Sequence, residues 1–274
     1  MKMTVLMENT ACAPELRCAH GLSLYFETPK HKILFDAGPN GDMAANADAL
    51  GVDLSQVDIA VLSHGHSDHS DGLPAFFARN DRAKVYVRPA VWEGYYACRP
   101  TGTGYIGLDP ALEAYRDRFV AVEGVYAIDE ELTLFPAAGD FPTADTDTRL
   151  RWKNPAGDLV PDTFGHEQDL LISAEGKTVL VAGCAHRGIV NICHTAERLT
   201  GRAADAVVGG FHLFQLDPEK ESSGKLLQSI GRALLPGETV YYTGHCTGEY
   251  AFGALRDILG DRLRGISTGM EIDL

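Results

Sequence analysis

Four side chains that can bind a metal ion lie within six residues of this 274-residue chain: His64, His66, Asp68 and His69. They directly follow the apolar run 57–62, which is typical of a buried strand. A strand that ends at a glycine-containing turn directs the next side chains into one cleft. His64 and His66 can then share one metal ion while Asp68 and His69 face a second. Imidazole nitrogens and carboxylate oxygens suit zinc or another first-row divalent ion, so the segment predicts a metal centre.

Three later segments have the same plan of an apolar strand, a glycine and then donor atoms. They comprise residues 179–186, 207–212 and 240–246, and they contain His186, His212 and His245. Strand ends that share one edge of a sheet converge on one cleft, where such folds place their sites. A two-metal site needs about three protein ligands for each ion, so these histidines are candidates for the remaining positions.

The elements that must position these groups alternate between strand and helix patterns. Two strand-rich halves, each followed by helices, predict an α/β fold with helix layers outside two packed sheets. No convincing linker interrupts the chain, so we predict one domain over residues 1–274. Segments near 89–118 and 136–165 lack regular patterning and are predicted to be irregular and lid-like. The predicted strands cover 22–27, 32–36, 57–62, 84–88, 169–174, 177–182, 205–208 and 238–242, and the predicted helices cover 43–50, 71–77, 188–199, 218–234 and 248–259.

Composition restricts the possible partners. The formal net charge of −14 and the absence of a Lys/Arg cluster argue against nucleic acid. No stretch approaches the ~20 apolar residues of a membrane span, and the N-terminus does not have the pattern of a secretory signal. The six cysteines are scattered, as expected for reduced thiols. We therefore predict a cytoplasmic protein that acts on a small molecule, without a membrane or nucleic-acid partner.

The pattern His-x-His-x-Asp-His at residues 64–69 resembles the signature of the metallo-β-lactamase superfamily. The resemblance implies a four-layer αββα sandwich with two divalent metal ions, zinc in first place and iron, manganese or magnesium as alternatives. Further segments resemble the branch of this superfamily that is named for 7,8-dihydropterin-6-methyl-4-(β-D-ribofuranosyl)aminobenzene-5′-phosphate synthase. They include residues 8–10, 20–23, 34–38, 46–47, 50–51, 63–66, 105–107, 183–192, 209–213 and 245–248.

The resemblance also bears on the later ligands. His245 stands where the superfamily has its last metal ligand, and His186 is predicted to be a ligand as well. Cys184 occupies the position of a bridging aspartate, so it is either a thiolate ligand or a small buried hydrophobe. His166, which precedes a predicted hairpin, is a further possible ligand. His212 is predicted to be a ligand, a partner of one, or a substrate contact.

Three functions are compatible with this sequence. The first is a metal-dependent hydrolase that uses a metal-activated water on a small anionic phosphate or ester, with Asp68 orienting or deprotonating the nucleophile. The second is the synthase activity of the resembling branch, a transferase reaction that joins a dihydropterin diphosphate to a ribosylated aminobenzene phosphate. The third is a metal-binding or redox protein without hydrolytic turnover. The residues that bind the substrate are unknown from the sequence.

Overall fold

The computed structural model describes residues 1–143 and 149–274, and these group into two compact units. Unit 1 comprises Met1–Gly124, Thr148–Gln168 and Ser267–Leu274, and unit 2 comprises Val125–Asp147 and Asp169–Ile266. That the chain forms one domain stays a prediction. Part of the predicted irregular segment 136–165, residues 144–148, lies outside the described residues.

Unit 1 is built on a seven-stranded mixed sheet with the strand order β18-β1-β2-β3-β4-β5-β8. Its strands are β1 Lys2–Met7, β2 Ser23–Glu27, β3 Lys32–Phe35, β4 Ile59–Val61, β5 Lys84–Val87, β8 Phe119–Ala121 and β18 Glu271–Asp273. Strands β3, β4, β5 and β8 run parallel to one another, so the ends of β3 and β4 lie at the same edge. Helices of this unit are α1 Asp42–Ala49, α2 Ser67–Ser70 and α3 Leu73–Phe77.

A second sheet in unit 1 corrects the prediction that segments 89–118 and 136–165 are irregular. It is antiparallel, with the order β12-β11-β6-β7, and its strands are β6 Gly94–Arg99, β7 Gly102–Tyr105, β11 Leu150–Lys153 and β12 Leu159–Pro161. Burial alternates along β6, but Tyr95 and Tyr96 put aromatic side chains on both faces. The hydropathy of the segment therefore does not alternate with a period of two, which is the signal that identifies a strand.

Unit 2 contains the other seven-stranded sheet, with the order β17-β16-β15-β14-β13-β10-β9. Its strands are β9 Tyr126–Ala127, β10 Leu132–Phe135, β13 Asp169–Ala174, β14 Lys177–Val181, β15 Ala206–Val208, β16 Val240–Thr243 and β17 Leu263–Gly265. Strands β14 to β17 are parallel, so β14, β15 and β16 end at one edge. Helices α4 Ile189–Thr200, α5 Glu221–Leu234 and α6 Glu249–Leu259 supply much of the core against this sheet.

The predicted strands and helices outside the corrected segments are confirmed, with ends that differ by at most three residues. Short 3₁₀ helices cover Leu54–Gln56, Pro89–Trp92, Pro110–Arg118, His245–Thr247 and Gly260–Arg262. Among the helices in the described part of the chain, none is long and apolar enough to cross a membrane.

Candidate metal centre

The His64–His69 turn leaves β4 and continues into α2, as the sequence predicts. His64 and His69 are fully buried, and His66 is 5% exposed. The ring of His64 lies 4.6 Å from that of His66 and 4.2 Å from that of His69, measured between centroids. We call these three histidines together with Asp68 the unit 1 cluster. Buried imidazoles this close together are the arrangement that a shared metal ion requires.

Asp36, at the end of the neighbouring strand β3, fixes two of these rings. Its carboxylate accepts hydrogen bonds from the backbone N–H and the hydroxyl of Ser63, both at 2.7 Å, and lies 2.6 Å from Nδ1 of His69. Ser63 Oγ is also 2.8 Å from Nδ1 of His64. Because the single hydroxyl proton of Ser63 goes to Asp36, Nδ1–H of His64 must donate to Ser63. Both rings then carry their proton on Nδ1, and the lone pair that binds a metal is on Nε2.

His166 belongs to the support of the turn. Its Nδ1 accepts a 2.8 Å hydrogen bond from the backbone N–H of Gly65, and its Nε2 lies 3.1 Å from Oδ2 of Asp162. Both ring nitrogens are thus engaged within unit 1, so His166 fits the role of a partner of the ligands. Burial and the neighbouring His166 lower the pKa of His66 to about 3. His66 is therefore neutral, which is the state that binds a metal ion.

Asp68 is the more open member of the unit 1 cluster. Its side chain is 25% exposed, and Oδ2 lies 3.9 Å from Nε2 of His69 and 3.5 Å from Nε2 of His20. The sequence alone predicts no role in the site for His20. A carboxylate that is fixed by its backbone position and still reachable by solvent can contact a metal ion, a water molecule or a substrate proton.

In unit 2, the three predicted donor segments converge at the ends of β14, β15 and β16. The backbone ties the turns together: Gly210 N–H donates to Gly183 O at 2.8 Å, and Thr243 Oγ1 donates to Gly209 O at 2.7 Å. His212 and His245 both have a φ of +48°, in the left-handed region that non-glycine residues rarely adopt. Such backbone strain persists where the surrounding structure enforces it, and it is frequent at functional sites.

These turns bring together what we call the unit 2 cluster: Cys184, His186, His212, His245 and Cys246. The ligand atoms of Cys184, His186 and His212 all lie within 4.8 Å of one another, and the same holds for Cys184, His245 and Cys246. Burial raises the pKa of the Cys246 thiol, but the hydrogen bond with Cys184 and the nearby His245 and His212 outweigh this effect. The pKa of Cys246 consequently lies well below its ordinary value.

A small recess in unit 2 adjoins the imidazoles of His186 and His212. Its wall includes Phe141, Thr143 and the N-terminal residues of α4. The two rings lie 4.1 Å apart between centroids. The recess therefore combines an apolar wall with two imidazoles, a composition that suits part of a small ligand.

The structure adds Asp36, Ser63, Asp162 and Cys246, which the sequence did not place in the metal centre. The sequence contains a signal for two of these residues. Asp36 directly follows β3, which pairs in parallel with β4, and Cys246 directly follows His245. Ser63 only precedes the first histidine, and Asp162 follows β12, which the sequence did not predict. Predicted site residues thus gather in two clusters, each positioned by ends of parallel strands.

Two sheets that place histidines, an aspartate and thiols at the ends of parallel strands define an α/β protein with candidate metal ligands. The chain belongs to the metallo-beta-lactamase superfamily, whose family model matches residues 16–245. This confirms the predicted superfamily and fold class.

The chain is also similar to particular proteins of this superfamily and fold. The chain is 29% identical to 7,8-dihydropterin-6-methyl-4-(beta-D-ribofuranosyl)-aminobenzene-5′-phosphate synthase of Methanocaldococcus jannaschii, over 84% of this chain and 81% of the relative. It is similar to the crystal structure of a metal-dependent hydrolase of the beta-lactamase superfamily, with a TM-score of 0.82, 25% identity and coverage of 100% and 99% of the two chains. The fold is shared with Zn²⁺-bound PqqB from Methylobacterium extorquens, with a TM-score of 0.56, 14% identity and full coverage of both chains.

Proposed function

We propose that this protein is a metal-dependent hydrolase of a small anionic phosphate or ester. The observation that carries the proposal is the hydrogen-bond network of Asp36, which places the Nδ1 protons of His64 and His69 and leaves Nε2 of each ring for a metal ion. Carboxylate–histidine pairs of this kind orient metal ligands and raise their basicity. A similar structure, that of a metal-dependent hydrolase, supports the reaction class.

The predicted metal ligands occur in both clusters. Two divalent ions, zinc in first place, would be held by the following residues: His64, His66, Asp68, His69, His186 and His245. Metal ions in such a site would lower the pKa of a bound water molecule and polarise a carbonyl or phosphoryl oxygen. The remaining roles belong to side chains of the protein. Asp68 orients the nucleophile and accepts its proton. The buried histidines exclude bulk water around the reacting atoms. That the protein acts in a cytoplasm stays a prediction.

The test begins with protein that is purified without chelators. We expect metal analysis by mass spectrometry to find two equivalents of a divalent ion, mainly zinc, and we expect hydrolysis of p-nitrophenyl phosphates or carboxylic esters. Asp68→Ala should lower turnover by about 10²-fold or more, the scale of general acid–base catalysis. The exposed Asp81 provides the matched control, because Asp81→Ala removes the same group from the surface of unit 1.

Three results would contradict parts of the proposal. Wild-type protein without bound metal would overturn metal dependence. Full activity of Asp68→Ala would overturn the role of Asp68. A full metal load in His186→Ala, with the load reduced only in His64→Ala, would show that His186 is not a metal ligand.

The similarity to the Methanocaldococcus jannaschii synthase favours a second candidate, a transferase that uses a dihydropterin. Incubation of the metal-loaded protein with a dihydropterin diphosphate and the ribosylated aminobenzene phosphate tests it, with mass spectrometry to detect the condensed product. Product formation would replace the hydrolase proposal. Release of the diphosphate without condensation would support hydrolysis instead.

A further inference from the structure

The unit 2 cluster contains two buried thiols as well as three imidazoles. Cys184 follows β14 and Cys246 follows β16, and the two are 3% and 2% exposed. Neither is part of a disulfide. A lone buried cysteine is usually a small apolar side chain, so a pair at the ends of two strands needs a different explanation.

The distances suit metal coordination. The ligand atoms of Cys184, His245 and Cys246 lie within 4.8 Å of one another, before any ion draws them together. Ligand atoms around a tetrahedral zinc ion are about 3.3–3.8 Å apart, as follows from bond lengths of about 2.0–2.3 Å. Side-chain adjustments of about 1 Å therefore suffice to bring all three to one ion.

The backbone around Cys246 is built to accommodate its sulfur. The N–H of His212 donates to Sγ of Cys246 at 3.3 Å, which makes this sulfur an acceptor rather than a simple apolar group. A Cβ at Gly210 would lie 2.4 Å from the same Sγ, so a side chain there would displace the thiol. The turn after β15 thus leaves room for the sulfur and supplies it with a hydrogen-bond donor.

We propose that Cys184 and Cys246 are both metal ligands, so that the centre is a mixed sulfur–nitrogen site that selects zinc over magnesium and manganese. The inference rests on the proposed metal centre and specifies its donor set. Thiolates favour borderline and soft ions such as zinc, cobalt and cadmium, whereas magnesium and manganese prefer oxygen donors. Two thiolates in place of carboxylates would therefore determine the identity of the metal.

Cobalt substitution of the full chain tests the proposal directly. The protein is stripped with a chelator, reloaded with Co²⁺ under reducing conditions, and examined for the near-ultraviolet band of sulfur-to-cobalt charge transfer. We expect the band in the wild type, about half its intensity in Cys184→Ser and in Cys246→Ser, and none in the double variant. Cys193→Ser, which changes a cysteine of the same unit outside the cluster, should retain the full band.

The outcomes separate this inference from the function on which it rests. If cobalt binds stoichiometrically without the band, or if Cys246→Ser leaves the band unchanged, the two-thiolate site is wrong while the metal centre stands. If no cobalt or zinc binds, both fail. X-ray absorption of the zinc-loaded wild type needs no variant and should show sulfur at about 2.3 Å, on average one sulfur neighbour per zinc when two ions are bound. A first shell of nitrogen and oxygen alone would overturn the proposal.

Discussion

At the scale of single residues, Asp36 organises the unit 1 cluster. One buried carboxylate holds His69 directly and His64 through the hydroxyl of Ser63. The same carboxylate also accepts the backbone N–H of Ser63, so it ties the end of β4 to the end of β3. The orientation of two predicted ligands thus depends on a residue that lies outside the predicted ligand set.

Asp36→Asn tests this dependence. The amide removes the charge and one acceptor oxygen, so the affinity for zinc should fall by about 10–100-fold, as for other partners of metal-binding histidines. Asp58 is a matched control, since its carboxylate lies 2.7 Å from Nδ1 of His31 outside the cluster. Competition with a chromogenic chelator measures both variants. Equal affinities in Asp36→Asn and Asp58→Asn would contradict the role of Asp36.

Asp71 leads to a prediction about pH. Burial, followed by the charges of Asp109 and Asp68, raises its pKa to about 6 from the ordinary 3.8. The folded state therefore keeps a proton that the unfolded state releases between about pH 4 and pH 6. Stability contributed by this carboxyl falls as the pH rises through that window, and the loss persists above it. Because the side chain is only partly buried, solvent reduces the size of the effect.

Asp71→Asn should remove this dependence. We expect thermal unfolding of the metal-free protein to show equal midpoints for the variant and the wild type below about pH 4, and a higher midpoint for the variant above about pH 6. Asp81→Asn, a change at an exposed position of the same unit, serves as the control. A midpoint difference that is the same at all pH values would show that Asp71 does not titrate in this window.

At the scale of elements, both clusters use one device, a parallel strand that ends in a glycine-containing turn. The turn after β4 passes so close to its neighbours that a Cβ at Gly65 would lie 3.0 Å from Val91 O and 3.2 Å from Tyr95 Cε2. Val91 O is a backbone atom, so it cannot rotate away as a side-chain atom could. A substitution at Gly65 therefore requires a shift of a few tenths of an ångström, either of the turn that carries the histidines or of Val91 and Tyr95.

Gly65→Ala should lower both stability and zinc affinity, with a cost of about 1–3 kcal/mol from overpacking. Gly253 is the matched control, because it is exposed in α6 and a Cβ there would meet nothing within 4 Å. Gly253→Ala should instead stabilise the protein by about 0.5–1 kcal/mol, since alanine is the better helix former. Urea unfolding and zinc titration of the two variants check both signs. A Gly65→Ala protein that binds zinc normally would contradict the steric argument.

The features that could be predicted from the sequence are those whose residues are adjacent in the chain. Strand-end turns were identified because apolar runs, glycines and donor residues are adjacent in the chain, as in residues 57–69. Asp36 and His69 are 33 positions apart, and their contact depends on the parallel pairing of β3 with β4. Asp162 depends on the small antiparallel sheet, whose tyrosine-rich strand β6 does not alternate in hydropathy. Local patterns thus predicted the ligands, while the residues that orient them required the tertiary structure.

At the scale of the whole molecule, two properties fit a metal centre better than a scaffold for large partners. The formal net charge of −14 disfavours phosphate backbones. The buried polar groups of each unit include the clustered histidines. Burial of imidazoles costs free energy unless hydrogen bonds or a metal ion compensate for the lost water. Metal binding should consequently contribute to the stability of the native protein.

Chelation measures that contribution. An ion that binds only the native state at about 100 times its Kd stabilises the protein by about 2.7 kcal/mol. For a chain of this size about 1 kcal/mol corresponds to roughly 2–4 °C in Tm, so excess chelator should lower Tm by about 5–10 °C, and added Zn²⁺ should restore it. Asp36→Asn should show a smaller shift, because its affinity for the ion is lower. If chelation leaves the Tm of the wild type unchanged, the clustered histidines are stabilised by the fold alone, and the metal centre does not form.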